Sequence, residues 1–235
     1  MKTSNKLILG FFGVIISLMI LVTIQLKAEY QKIDLNDKFR GYEKVPLRNI
    51  RFLEIRSSIY NNQNKDIEND ANGFAVTCLN DKQSVLLLPK NDNFRKYISY
   101  QQNGDTLLIN SDLAYTSYLT NIFLLGMKLE GIKANCSTII LDSITSEDLK
   151  VDLERKAEID FNTVNTKYIE LNLSNYAKGK FSGNSLVNEL DLNLQQKSTV
   201  DLGDIKIGNI HLEMSPSAKI STGKANLAHL AKVKF

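Results

Sequence analysis

The chain is 235 residues long, 43% of them hydrophobic and 23% charged, which is enough apolar material for one full core, or two small ones, and too much for wholesale disorder. Lysine and arginine number 29 against 26 acids, but Lys2 and Lys6 precede the first acid, Glu29, so the remainder is close to neutral and lacks the phosphate-neutralising basic face of a nucleic-acid binder. Two cysteines and 2 histidines exclude a disulfide-rich scaffold and a closed four-cysteine zinc site.

Residues 1–6 form a short polar tail. The uncharged run that begins at Leu7 and ends at Leu26 has, at about 1.5 Å per residue, the length of a roughly 30 Å hydrocarbon layer. A cleaved signal peptide has a shorter apolar core followed by small residues, whereas only Leu26-Lys27-Ala28 stands at this end. The run is therefore read as an uncleaved transmembrane anchor whose partner is the lipid bilayer. A six-residue tail stays inside while the long domain is translocated, which places a single-pass protein in a bacterial inner membrane with its body in the periplasm. Such a compartment permits a disulfide between Cys78 and Cys136; two free thiols are the alternative. Residues 27–47 are mixed and polar, without an apolar period and closed by Pro46, and are read as a tether to a domain over 48–235.

The first part of that domain, 48–136, reads as irregular strands at 49–57, 74–79, 84–88, 97–100, 106–110 and 118–125, with a turn at Asn103-Gly104 and a polar loop at 61–72. From 137 onward a repeat of about 20 residues emerges. Four units, 149–161, 169–181, 190–202 and 210–222, each offer three alternating positions, a three-residue corner and three more alternating positions, and 137–141 supplies a preceding half-unit. Every inward position except Gly179, Ser198 and Thr222 is hydrophobic, and none of the intervening positions is. That is the two-residue period of strands, which excludes helix. A third short side follows at Val164, at Ile205 with Ile207, and at Leu227. Strands with one apolar face that recur at fixed spacing bury it by stacking like on like, about 4.8 Å apart. The expected fold is all-β: a parallel β-helix or solenoid behind one transmembrane helix, with its interior filled by side chains.

On these features, the early strand pair ending in Gly104-Asp-Thr-Leu-Leu-Ile109, the repeated apolar-x-apolar-x-apolar, short corner, small-x-apolar-x-apolar pattern and the Ser182-Gly183-Asn184 corner, residues 48–235 resemble the bacterial auto-transporter adhesin head domain of GIN type. The resemblance implies a right-handed β-helix behind an export signal and a role in surface adhesion. It brings no catalytic residues.

Polysaccharide-cleaving β-helices gather acids on one solvent-facing sheet. Here the outward columns Asp160, Lys180, Asp201, Ser221 and Glu158, Lys178, Thr199, Lys219 alternate in charge, the pattern of mutually neutralised ladders. The column Asp152, Asn172, Asn193, Glu213 is acidic and amide-rich and is a candidate contact site, as are Tyr168 and Tyr176 at the corners, where exposed aromatics stack on sugars or proteins. His211 and His229 have no partner at metal-ligand spacing, no nucleotide, thiol or protease motif is present, and no metal or cofactor is implied. The function read from the chain is a non-enzymatic, adhesin-like interaction or envelope scaffold module, whose protein or glycan partner and oligomeric state no residue pattern specifies. The competing readings are a self-assembling filament resembling bactofilins, a lipid shuttle with an open apolar interior, and a polysaccharide-active β-helix.

Overall fold

The computed structural model describes residues 3–31, 37–57, 74–112, 120–223 and 230–234. It divides into two units, Met1–Arg40 and Gly41–Phe235. In the first, helix α1 (Thr3–Gln31) contains the window Gly10–Lys27, of mean hydropathy 2.0 and with none of it buried. The Ser17 and Thr23 hydroxyls donate back to the carbonyls of Gly13 and Met19, at 2.9 and 2.7 Å, so these polar side chains are satisfied within the helix itself. The helix is long and apolar enough to cross a bilayer.

The second unit is built from two nine-stranded, mostly parallel sheets, neither of which closes into a barrel. Its regular part alternates between them. Strands β8 (Gly131–Asn135), β10 (Thr145–Glu154), β12 (Asn165–Leu173), β14 (Leu186–Leu194) and β16 (Lys206–Met214) lie side by side in one sheet, and β9 (Thr138–Asp142), β11 (Glu158–Asn162), β13 (Lys178–Ser182), β15 (Thr199–Asp201) and β17 (Lys219–Ser221) in the other. Leu149 pairs with Ile169, Ile169 with Leu190 and Leu190 with Ile210, which are the like-on-like columns that the repeat requires. In the first three repeats all six inward positions are buried; in the fourth Met214 and Ile220 are half-buried and Thr222 is exposed, where the stack runs out. Both sheets contribute to one apolar core.

The three exceptions to the apolar pattern have separate physical accounts. A side chain at Gly179 would meet Val200, Leu171 and Leu173 at 3.1 to 3.4 Å, so its neighbours already occupy that space. Thr222 lies beyond the last covered position. Ser198, together with Ser137, is fully buried with a hydroxyl that makes no hydrogen bond, in a column otherwise filled by Ala157, Ala177 and Ala218. An unpaired buried hydroxyl costs about 1–3 kcal/mol, so Ser198→Ala is expected to raise stability by about 1 kcal/mol, read as a higher urea midpoint at unchanged slope. A lowered midpoint would mean that the hydroxyl has a partner.

The corners have a demanding backbone. Arg155 and Lys156, Asn175 and Tyr176, and Gln196 and Lys197 all take positive φ, from 46° to 67°, in tight turns closed by Ala157, Ala177 and Ser198 donating to Glu154, Ser174 and Gln195 at 3.1 Å. Only asparagine among these residue types adopts that region readily, and the others cost about 1 kcal/mol or more each. The fourth corner holds Pro216, whose ring forbids positive φ, and it closes instead without left-handed residues, through Ala218 donating to Ser215 at 3.0 Å. The opposite turns place Ser143, Thr163, Gly183 and Gly203 at positive φ. The third side read from sequence is present as a buried column of Ile144, Val164, Ser185 and Ile205, with Ile207 half-buried; Leu227 lies outside the described residues.

The early half departs from a simple succession of windings. Strand β2 (Phe52–Ser57) inserts between β6 (Thr106–Ser111) and β8, and β3 (Phe74–Leu79) between β7 (Thr120–Leu125) and β9. A side chain at Gly131 would lie 2.7 Å from the Phe52 ring, so that glycine is what lets β2 sit against β8. Antiparallel strands finish this end: β5 (Ile98–Asn103) folds back on β6 through a two-residue turn with Gly104 at φ 62°, and β4 (Val85–Pro89) lies on β7. The stretch read as a tether is not wholly one, since Tyr42–Pro46 forms strand β1, paired antiparallel to β4, and the compact unit begins at Gly41. Val45 and Leu47 pack into the core and Tyr42 meets the Phe123 ring edge-on, apolar contacts too few to register as a period. The polar loop at 61–72 falls outside the described residues.

Candidate interaction surface

The repeats bring the predicted column together. Asp152, Asn172, Asn193 and Glu213 are successive register partners on β10, β12, β14 and β16, and the register continues to Lys133 on β8 and to Lys234 on β18 (Leu230–Lys234). Lysines therefore flank the acidic column at both ends. Its amide is engaged: Asn172 Nδ2 donates to Asp152 Oδ1 at 2.7 Å and to Glu170 Oε1 at 2.9 Å.

The neighbouring column, Lys150, Glu170, Asp191 and His211, went unread in sequence although it shares the same outward parity two residues earlier in each repeat. Lys150 Nζ reaches Glu170 Oε1 at 2.6 Å. Tyr168 joins this network and not a corner: its hydroxyl donates to Asp191 Oδ2 at 2.8 Å. Tyr176 is elsewhere, 48% exposed on the turn between β12 and β13, with Lys197 Nζ 5.2 Å above its ring and 3.1 Å from its hydroxyl. His211 Nε2 lies 3.8 Å from Glu213 Oε1, and His229 is outside the described residues.

On the other sheet the alternating ladder is realised where Lys178 Nζ meets Glu158 Oε1 at 2.7 Å, while Asp160 accepts from the Ser182 hydroxyl at 2.7 Å. Cys78 and Cys136 are both buried free thiols. Cys78 faces the core from β3, paired in register with Leu124 and Leu141, and burial pushes its thiol up to about 12. Cys136 sits in a turn with Sγ 3.0 Å from the Arg155 carbonyl; the two side chains belong to different elements, which the residue spacing alone does not reveal.

The electrostatics of the Tyr168 network run away from proton transfer at neutral pH. The hydrogen bond from Lys150, aided by that from Asn172, holds the Glu170 carboxyl below its usual range, and the same bond holds the Lys150 ammonium above its own. Desolvation, then the hydrogen bond to Asp191, pushes the Tyr168 phenol up to about 12. A general acid or base works best near the operating pH, and these three shifts lead in the opposite direction. Among the described residues no group of three or more His, Cys, Asp or Glu is placed to hold a metal.

The Tyr168 shift has a sign that can be checked. An acid whose folded pKa exceeds the unfolded value near 10 stabilises the fold fully below that pH and loses the contribution as pH rises through about 12. Phenolate absorbance of the native protein is expected to include a late-titrating component that is missing in Tyr168→Phe; loss of an ordinary component instead, with the late one retained, would remove the Asp191 contact.

A family model described as "Putative auto-transporter adhesin, head GIN domain" matches residues 71–230, from just before β3 into β18. The chain belongs to that family. The GIN-domain match takes in all four repeats and the early strands from β3 onward, so the two outward columns and the Tyr176 turn all lie within it. Among solved structures the chain is similar to a putative adhesin from Bacteroides fragilis, at 8% identity and a TM-score of 0.43, covering 77% of this chain and 95% of that one. It is similar also to one from Parabacteroides distasonis, at 13% identity and a TM-score of 0.42 over 77% and 95% of the two chains. A third, from Parabacteroides merdae, has 8% identity and a TM-score of 0.30 over 78% and 96%. A comparison with curated proteins gives no match.

Proposed function

We propose that this GIN head domain is a right-handed parallel β-solenoid of about 20 residues per winding, held in the periplasm by α1 as a single uncleaved span of the bacterial inner membrane, and that it works by non-enzymatic contact with a protein or glycan. The observation that carries this reading is the family match over two sheets that pair outward charges between neighbouring strands: Lys150 with Glu170, Lys178 with Glu158, Lys167 with Glu147. A face of that kind presents fixed polar shape and no poised acid, base or nucleophile. The filled interior, with the Phe161 and Phe181 rings stacked 4.4 Å apart, favours contact through the outside over carriage of a lipid within.

The topology is tested by fusing to Phe235 a reporter active only outside the cytoplasm, in intact cells; activity is expected, and silence would overturn the localisation. Crosslinking of the full chain in the same cells is expected to capture a partner through the sheet faces or turns. A turnover activity on acidic polysaccharides that disappears in Asp152→Asn or Glu213→Gln would replace the contact reading by an enzymatic one.

A further inference from the structure

The two rows of turns that join the sheets differ in charge and in what they cost the backbone. One row comprises the turns at 142–143, 162–163, 182–184 and 203–204, and carries Asp142 and Asp204 with no lysine or arginine; two of its four left-handed positions are glycine. The other runs from the turn at Cys136 to the one at 215–217, and its three middle turns hold Arg155 with Lys156, Asn175 with Tyr176, and Gln196 with Lys197. All six residues are left-handed, and all but the half-buried Lys156 are exposed. The turns are stacked by hydrogen bonds between neighbours, Lys156 N to Asn175 O at 3.0 Å and Tyr176 N to Gln196 O at 3.1 Å.

Glycine or asparagine would suit each of these positions better, yet five of the six hold arginine, lysine, tyrosine or glutamine. Strained backbone retained at an exposed site points to side chains kept for what they contact. Three cations face one acid on this ridge, Glu154. The side chains lie in steps of about 4.8 Å, the spacing of paired strands, along an edge with the Tyr176 ring and the amides of Asn175 and Gln196.

Resting on the contact function proposed above, we infer that this ridge binds an acidic polysaccharide laid along the stack of turns, with Arg155, Lys156 and Lys197 meeting its carboxylates and Tyr176 and the amides of Asn175 and Gln196 meeting its sugar rings and hydroxyls. The ridge lacks the buried apolar centre of a protein interface. Three cations are too few for the phosphate neutralisation on which nucleic-acid binding depends. An extended acidic glycan needs only a narrow edge, a stacking ring and neutral hydrogen-bonding groups beside spaced positive charge.

The test uses the full chain in detergent with immobilised polygalacturonate, against neutral dextran, anionic vesicles and duplex DNA. Asparagine tolerates positive φ, so Lys156→Asn with Lys197→Asn keeps the turns and removes two charges. Retention on polygalacturonate is expected to weaken about tenfold or more in that pair, and severalfold in Tyr176→Asn. It should fall with added salt and stay unchanged in Asp142→Asn on the opposite row. Equal retention by wild type and the lysine pair overturns the ridge, as does failure of the wild type to hold polygalacturonate; preference for vesicles or DNA overturns the glycan assignment. Crosslinking in intact cells separates this inference from the contact function: partner capture that survives in the ridge variants sinks the ridge alone, whereas a wild type that captures nothing sinks both.

Discussion

Replacing Leu171 by aspartate is expected to unfold the β domain. Leu171 is fully buried on β12, between Val151 on β10 and Leu192 on β14, with no cation on the inward face to pair with a carboxylate. An isolated charge in such a place costs several kcal/mol even after water penetration, and domains of this kind have about 5–15 kcal/mol in all. The measurement is circular dichroism with solubility: loss of the cooperative unfolding transition is the expected result. Leu171→Met, which conserves volume, should stay within about 1.5 kcal/mol of the parent. A soluble Leu171→Asp protein with a normal transition would show that the side chain points outward, and the inward register of the whole repeat would fall with it.

The second large effect is expected at the aromatic pair. Phe161 on β11 and Phe181 on β13 are direct register partners, all but fully buried, with rings stacked at an interplanar angle of 8°. Free aromatic pairs favour offset or edge-on contact; here the strand spacing imposes the parallel geometry. Phe181→Ala should cost about 3–5 kcal/mol, seen as a large drop in urea midpoint. Phe161→Ala should cost a similar amount, and the double variant less than the sum, because the two cavities merge. Strict additivity would mean that the rings do not share their packing. Gly179, two residues before Phe181, offers no side chain to swing into the space.

The legibility of this fold varies along the chain for a physical reason. Where strands recur at fixed spacing, as in Leu149, Ile169, Leu190 and Ile210, register follows from alternation, because a one-residue slip would turn every apolar side chain to water. The same logic placed Asp152, Asn172, Asn193 and Glu213 in one outward line. It fails where no repeat exists. Strand β8 leaves no signal in the sequence because Gly131-Ile-Lys-Ala-Asn135 has too few inward apolar residues to show a period, and in β1 Val45 alone joins the core cluster. Tyr168 has the spacing of a corner residue, since the length of β12 is visible only in its pairing with β10 and β14.

The amino-acid sequence by itself determined which side chains of the repeats face the core, how the repeats register and that one apolar helix precedes them, because each follows from local periodicity and from composition. The tertiary structure decided the rest: the insertion of β2 and β3 between later strands, the antiparallel strands at one end, and the left-handed turns that line up Arg155, Lys156, Tyr176 and Lys197. These depend on contacts between segments far apart in the chain, such as Phe52 over Gly131 and the hydrogen bonds from turn to turn, whose energies exist only once the stack has formed.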